Sequence, residues 1–107
     1  MIDLIIKNAK VATASDVFNC DIGIDKEKIV FLEKNSSKEA KQVIDAKNQY
    51  VLPGGVDGHC HLDQRTKDGT EMSDNFESGS RSAVFGGTTT VMPFAIQFKG
   101  ESLREVI

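Results

Sequence analysis

Histidine, cysteine and basic charge are all scarce in this sequence, and each scarcity excludes something. The 107 residues hold two histidines and two cysteines. Cys20 and Cys60 lie far apart, in no CxxC pattern and with no secretory signal before them. Two buried free thiols are therefore expected, and a disulfide framework is not. A formal net charge of −3 and a sequence pI near 5.3 leave no basic footprint for nucleic acid and no polybasic patch for a membrane. No apolar run approaches the ~20 residues of a spanning helix. Asp3 and Lys7 interrupt even the apolar N-terminus, and the reading is a cytoplasmic protein.

What is present falls into two halves. Residues 1–52 read as a β-rich module of short strands. "DLIIKNAKVAT" gives two apolar runs separated by Asn8, a residue that tolerates left-handed backbone. "NCDIGID" sets Cys20, Ile22 and Ile24 on one face by strict alternation, and "KIVFLEK" supplies a partner strand across the polar turn "DKEK". Two further extended pieces, 42–45 and 49–52, complete a small module that reads as antiparallel and without chemistry of its own.

Residues 53–107 change character. "GGVDGHCHL" reads as a short strand and "LDQRTKDGTEM" as a long polar loop. "SDNFESGSRSAVFGG" reads as a helix, with Asp74 and Glu77 as a capping box, Phe76, Ser80, Ala83 and Val84 as its buried stripe, and Gly86 as its stop. "TTTVMPFAI" is a β-branched run suited to a strand covered on both faces, over 88–95. Strand, helix, strand makes a βαβ unit with a parallel pair. "GESLREVI" then opens a second helix at Ser102 that stops on its own apolar stripe, Leu103, Val106 and Ile107. The chain looks cut there, and alone it is expected to be inactive and marginally folded.

Both histidines fall in "LPGGVDGHCHLDQ", two positions apart. Alternate residues of a strand share a face, so His59 and His61 project together with Asp57, ~7 Å apart along the strand by its rise per residue. Gly58 and Cys60 face away. Two imidazoles on one face, at the C-terminal end of a parallel strand, can converge on one metal ion, and chemistry in parallel α/β folds gathers at such ends. Two ligands fall short of the three that a catalytic zinc site wants.

"VLPGGVDGHCHLDQ" resembles the first barrel strand of the amidohydrolase superfamily. "SDNFESGSRSAVFGGTTTVMPFAIQFKGESL" resembles the next helix and strand of its dihydropyrimidinase and hydantoinase branch. Residues 3–32 resemble the small β-sandwich-type domain of the same enzymes. The resemblance implies an α/β chain with two parts. Residues 1–52 belong to a composite β-sandwich, and 53–107 are the first βαβ unit of a (β/α)8 barrel, a fold of ~250 residues that this chain leaves incomplete. It implies zinc at a binuclear site, with His59 and His61 on the more buried ion. The bridging carboxylated lysine, two more histidines and a general-base aspartate would come from residues absent here.

The implied reaction is hydrolytic opening of a small cyclic amide to an N-carbamoyl amino acid, in a homotetramer. Dihydroorotase-like members carry an arginine two residues after the second histidine, where it pairs with a substrate carboxylate. Here Asp63 and Gln64 stand at that mouth, and they are the candidate substrate-binding residues. An anion there favours a neutral hydantoin or dihydropyrimidine, although Asp63 could equally serve only to turn the loop. The competing readings are another cyclic amidohydrolase (allantoinase or dihydroorotase), a non-catalytic scaffold relative, and a free-standing β-module. Scaffold relatives lack the histidines that this chain keeps.

Overall fold

The computed structural model describes residues 1–107, mostly strands with few helices. They form two compact units, Met1–Pro53 and Gly54–Ile107.

In the first unit β1 (Ile2–Ala12) is the centre. Antiparallel β2 (Val17–Asp25) lies on one side and β3 (Lys28–Glu33) beyond it. The other side of β1 is not antiparallel as the pattern predicts. Both β4 (Ala40–Asp45) and β5 (Tyr50–Val51) run parallel to β1, along its first and second halves. Asn8 explains the division. It sits at φ 55° inside one continuous strand, where the β1–β2 register shifts between Ile6 and Ala9. The extra residue reverses the alternation, so Ile6 before it and Ala9 and Val11 after it reach the same core, with Cys20 and Ile22. Its side chain donates to Asp45 Oδ1 (2.9 Å) at the end of β4, and its carbonyl accepts from Asn48 N (2.9 Å) before β5.

Asp21 ties this bulge to the chain after β3. It is buried, and its two oxygens accept from the backbone N–H groups of Asn8 (2.9 Å) and Ser36 (2.8 Å). The β2–β3 hairpin forms as expected, turning through Lys26 and Glu27, both at positive φ (47° and 63°). That geometry matches the twist of the flanking strands. Cys20 is a free buried thiol whose pKa is raised by its burial and then by the adjacent Asp21.

The second unit is a βαβ unit. Strands β6 (Gly55–Cys60) and β7 (Thr88–Pro93) pair in parallel and are joined through α1 (Phe76–Phe85), and a short α2 (Leu103–Val106) follows. Helix α1 begins one residue later than its sequence predicts. Asn75, not Asp74, is the N-cap: its Oδ1 accepts from Ser78 N (2.9 Å), and Ser78 Oγ accepts from Asn75 N (3.1 Å). Ser78 Oγ also donates to Asp74 Oδ1 (2.9 Å), which gives Asp74 a supporting part. Glu77 points along the surface to Arg81 instead.

The expected apolar stripe of α1 also moves. Gly79 is its buried residue and Ala83 is half-buried, whereas Ser80 is exposed and Phe76 and Val84 are each 55% exposed. The cause is a close approach. A Cβ on Gly79 would lie 2.3 Å from Leu62 Cδ2, so glycine lets the helix settle onto that leucine in the rotamer it holds. Strand β7 ends at Pro93, two residues early, and is not covered on both faces. Val91 is half-buried, but Met92 is 55% exposed, because α1 packs on one side only.

Candidate metal centre

β6 ends at Cys60, and the two histidines straddle that end. Because β7 runs parallel beside it, Phe94 arrives at the same edge, and its N–H donates to the Cys60 carbonyl at 3.1 Å. Three rings therefore meet. The imidazole centroids of His59 and His61 are 5.4 Å apart. Phe94 stands edge-on to His59 at 4.5 Å and stacks on His61 at 4.9 Å, within 8° of parallel. A tetrahedral zinc ion ~2.1 Å from one nitrogen of each ring would set the ring centroids ~5 Å apart. The observed centroid spacing of 5.4 Å is close to that value.

The two nitrogens of His61 are distinguished by a neighbour. Gln64 Oε1 is hydrogen-bonded to His61 Nδ1. An amide oxygen only accepts, so this pairing places a proton on Nδ1, and in the neutral ring Nε2 then keeps its lone pair. Asp57 does not join the pair as strict alternation predicts. Its Oδ1 accepts from His59 N (3.0 Å), and with Cys60, Leu62 and Gly79 it lines a cavity of about 250 Å³ beneath α1. The β6–β7 register is irregular between Asp57 and Cys60, which breaks the alternation. Cys60 is a free thiol on the helix side as expected, but it is half-buried and not buried, because it borders the cavity beneath α1. No group of three His, Cys, Asp or Glu side chains converges anywhere in the chain.

Asp63 and Gln64 both border a broad open cavity of about 680 Å³ formed by the loop 63–73 and the start of α1. Asp63 adopts left-handed backbone (φ 49°) and donates its N–H to the Asp74 carbonyl (3.0 Å), turning the loop back toward the strand end. Further along, Arg65 makes a two-pronged ion pair with Glu101 (2.7 and 3.3 Å) and lies over the Phe98 ring at 5.1 Å. The loop after β6 is thereby strapped to the loop after β7. The Glu101 carboxyl is held below its ordinary pKa, first by Arg65 and then by the Phe98 N–H. The pattern of the sequence singles out neither this strap nor Phe94. The available signal was the parallel register itself, which sets the end of β7 against the end of β6.

Known proteins carry the same arrangement of elements. A D-hydantoinase from Geobacillus stearothermophilus is 44% identical over 103 residues, covering 96% of this chain and 22% of the relative. The chain is homologous to hydantoinases and dihydropyrimidinases. Dihydropyrimidinase from Dictyostelium discoideum is 38% identical over 103 residues, covering 95% of this chain and 20% of its own length. A crystal structure of dihydropyrimidinase from Brevibacillus agri superposes with a TM-score of 0.88 at 45% identity, over 95% of this chain and 22% of that one. The chain thus spans about a fifth of the length of the hydantoinases it matches. No protein-family profile matches it.

Proposed function

We propose that this chain supplies part of the metal site of a cyclic amidohydrolase of hydantoinase type, within a protein of its relatives' length. Residues 1–52 serve in a composite β-sandwich, and residues 53–107 are the first βαβ unit of a (β/α)8 barrel. The observation that supports this best is the convergence of His59 and His61 at 5.4 Å on a strand's C-terminal end, in a chain 44% identical to a D-hydantoinase. The reaction is hydrolysis of a ring C–N bond in a hydantoin or dihydropyrimidine, giving an N-carbamoyl amino acid.

In this reading His59 and His61 hold zinc, and the remaining ligands come from beyond these residues. The bound metal supplies a Lewis acid for the ring carbonyl and lowers the pKa of water. The chain's own part is positioning. Phe94 fixes both imidazole planes, and Asp63 and Gln64 border the cavity through which a substrate would approach. A carboxylate brought within ~4 Å of Asp63 meets a repulsion of about 1 kcal/mol in water, and more as water is excluded. A neutral ring is therefore preferred over dihydroorotate. No helix is long and apolar enough to cross a membrane, and a cytoplasmic homotetramer is the assembly we assign to the whole enzyme.

The test uses the full-length protein. His59→Ala and His61→Ala should each lose zinc by mass spectrometry and lose turnover, whereas Cys60→Ser should keep its zinc. Zinc retained in either histidine variant overturns the site. Rates on dihydrouracil, hydantoin and dihydroorotate decide the substrate, and a preference for dihydroorotate overturns that part.

A further inference from the structure

We propose that Gln64 is a positioning residue that sets the His61 tautomer before any metal arrives. This rests on the reading of His61 as a ligand and adds a role for a residue three positions beyond it. A neutral imidazole free in water favours the proton on Nε2, the nitrogen most exposed at the ring's tip. Here the Gln64 amide oxygen sits on Nδ1. It can only accept, so it holds a proton there, and the neutral form of the ring is left with its lone pair on Nε2.

Two further features make this a built arrangement. Asp63 turns the chain at φ 49° with its N–H on the Asp74 carbonyl at 3.0 Å, and this backbone turn returns the half-buried Gln64 to the histidine. Phe94 lies flat on the opposite constraint, the ring plane, at 4.9 Å and 8°. One neighbour fixes the plane and the other fixes the proton. Metal-bound histidines characteristically donate their second N–H to such an acceptor, and loss of the acceptor costs 10–100-fold in metal affinity. The acceptor here is a neutral amide, so it selects the tautomer without adding a negative charge beside the metal.

The experiment takes full-length protein stripped of metal and labelled with 15N-histidine. Imidazole 15N spectra should show His61 protonated on Nδ1, and Gln64→Leu should move the population toward Nε2–H. Zinc affinity, read by chelator competition, should fall about 10–100-fold in Gln64→Leu. It should return in Gln64→Glu, which restores an acceptor. Nε2–H in the unaltered protein overturns the proposal, and this reading needs no variant to fold. Unchanged zinc affinity in Gln64→Leu, alongside zinc loss in His61→Ala, overturns it and leaves the metal site standing. Zinc retained by His61→Ala overturns both.

Discussion

Replacing Gly79 by alanine sets two known effects against each other, and their sign tests how α1 is seated. Alanine in a helix interior is favoured over glycine by about 1 kcal/mol. At an exposed position the change would stabilise the protein. At Gly79 the new Cβ would lie 2.3 Å from Leu62 Cδ2, 3.2 Å from Cδ1 and 3.3 Å from Cγ. Carbon atoms in contact sit ~3.5–4.0 Å apart, so the nearest atom must yield by more than ~1 Å. Rotating Leu62 clears Cδ2 but still leaves Cγ close and empties the seat it filled. Overpacking of this kind costs ~1–3 kcal/mol, which matches or exceeds the propensity gain. The net expectation is a loss of roughly 0–2 kcal/mol.

Leu62 directly follows His61, so the displacement should also reach the imidazole. Chemical denaturation of the full-length Gly79→Ala protein reads the stability, and zinc titration reads the site. In a double-mutant cycle, Leu62→Ala should relieve the Gly79→Ala penalty, with a coupling of about 1 kcal/mol or more. A stabilisation near 1 kcal/mol by Gly79→Ala alone would refute the close-approach argument.

Three further outcomes follow from the same geometry. Asp21→Ala strands two backbone N–H donors and should cost about 2–4 kcal/mol in urea denaturation. Asp21→Asn, which keeps one good acceptor, should cost visibly less, and equal costs would count against the two-donor account. Asn75→Ala should destabilise by about 1 kcal/mol, more than Asp74→Ala. The reverse order would restore Asp74 as the cap. Glu101 has its pKa lowered in the folded state, so its contribution is fully present above the ordinary carboxylate pKa of about 4.3 and is lost as pH falls through the lowered value. Protection of the Phe98 amide, taken relative to its intrinsic exchange rate at each pH, should therefore fall as pH drops through that lowered value, and Glu101→Gln should lower it at neutral pH. An amide indifferent to both would place the strap elsewhere.

Local pattern was enough for much of the molecule. Alternation in Cys20, Ile22 and Ile24 marks β2, and the polar turn after it marks the hairpin. The β-branched run 88–91 marks β7, and the histidine spacing marks a shared face. These signals are carried by neighbours within a few residues, so the chain states them directly. Asn8 lies at the border of that legibility. Its tolerance of positive φ is readable, but a turn and a bulge use the same tolerance. Only the β2 register on one side, and β4 and β5 on the other, make it a bulge within one strand.

The remainder was decided by contacts between distant segments. Parallel pairing of β4 and β5 with β1 depends on which edges are free once β2 and β3 are placed. Gly79 is buried rather than Phe76 because Leu62, 17 residues earlier, occupies the helix's landing place. Asp57 leaves the histidine face because pairing with β7 is irregular beside Gly58. Phe94 reaches both imidazoles only because β7 runs parallel to β6 and ends level with it. Side-chain type and strand period are local, so the chain alone nominated His59 and His61 as candidates. Which neighbours fix their planes and protons came only with the tertiary structure, because that depends on register between strands about 30 residues apart.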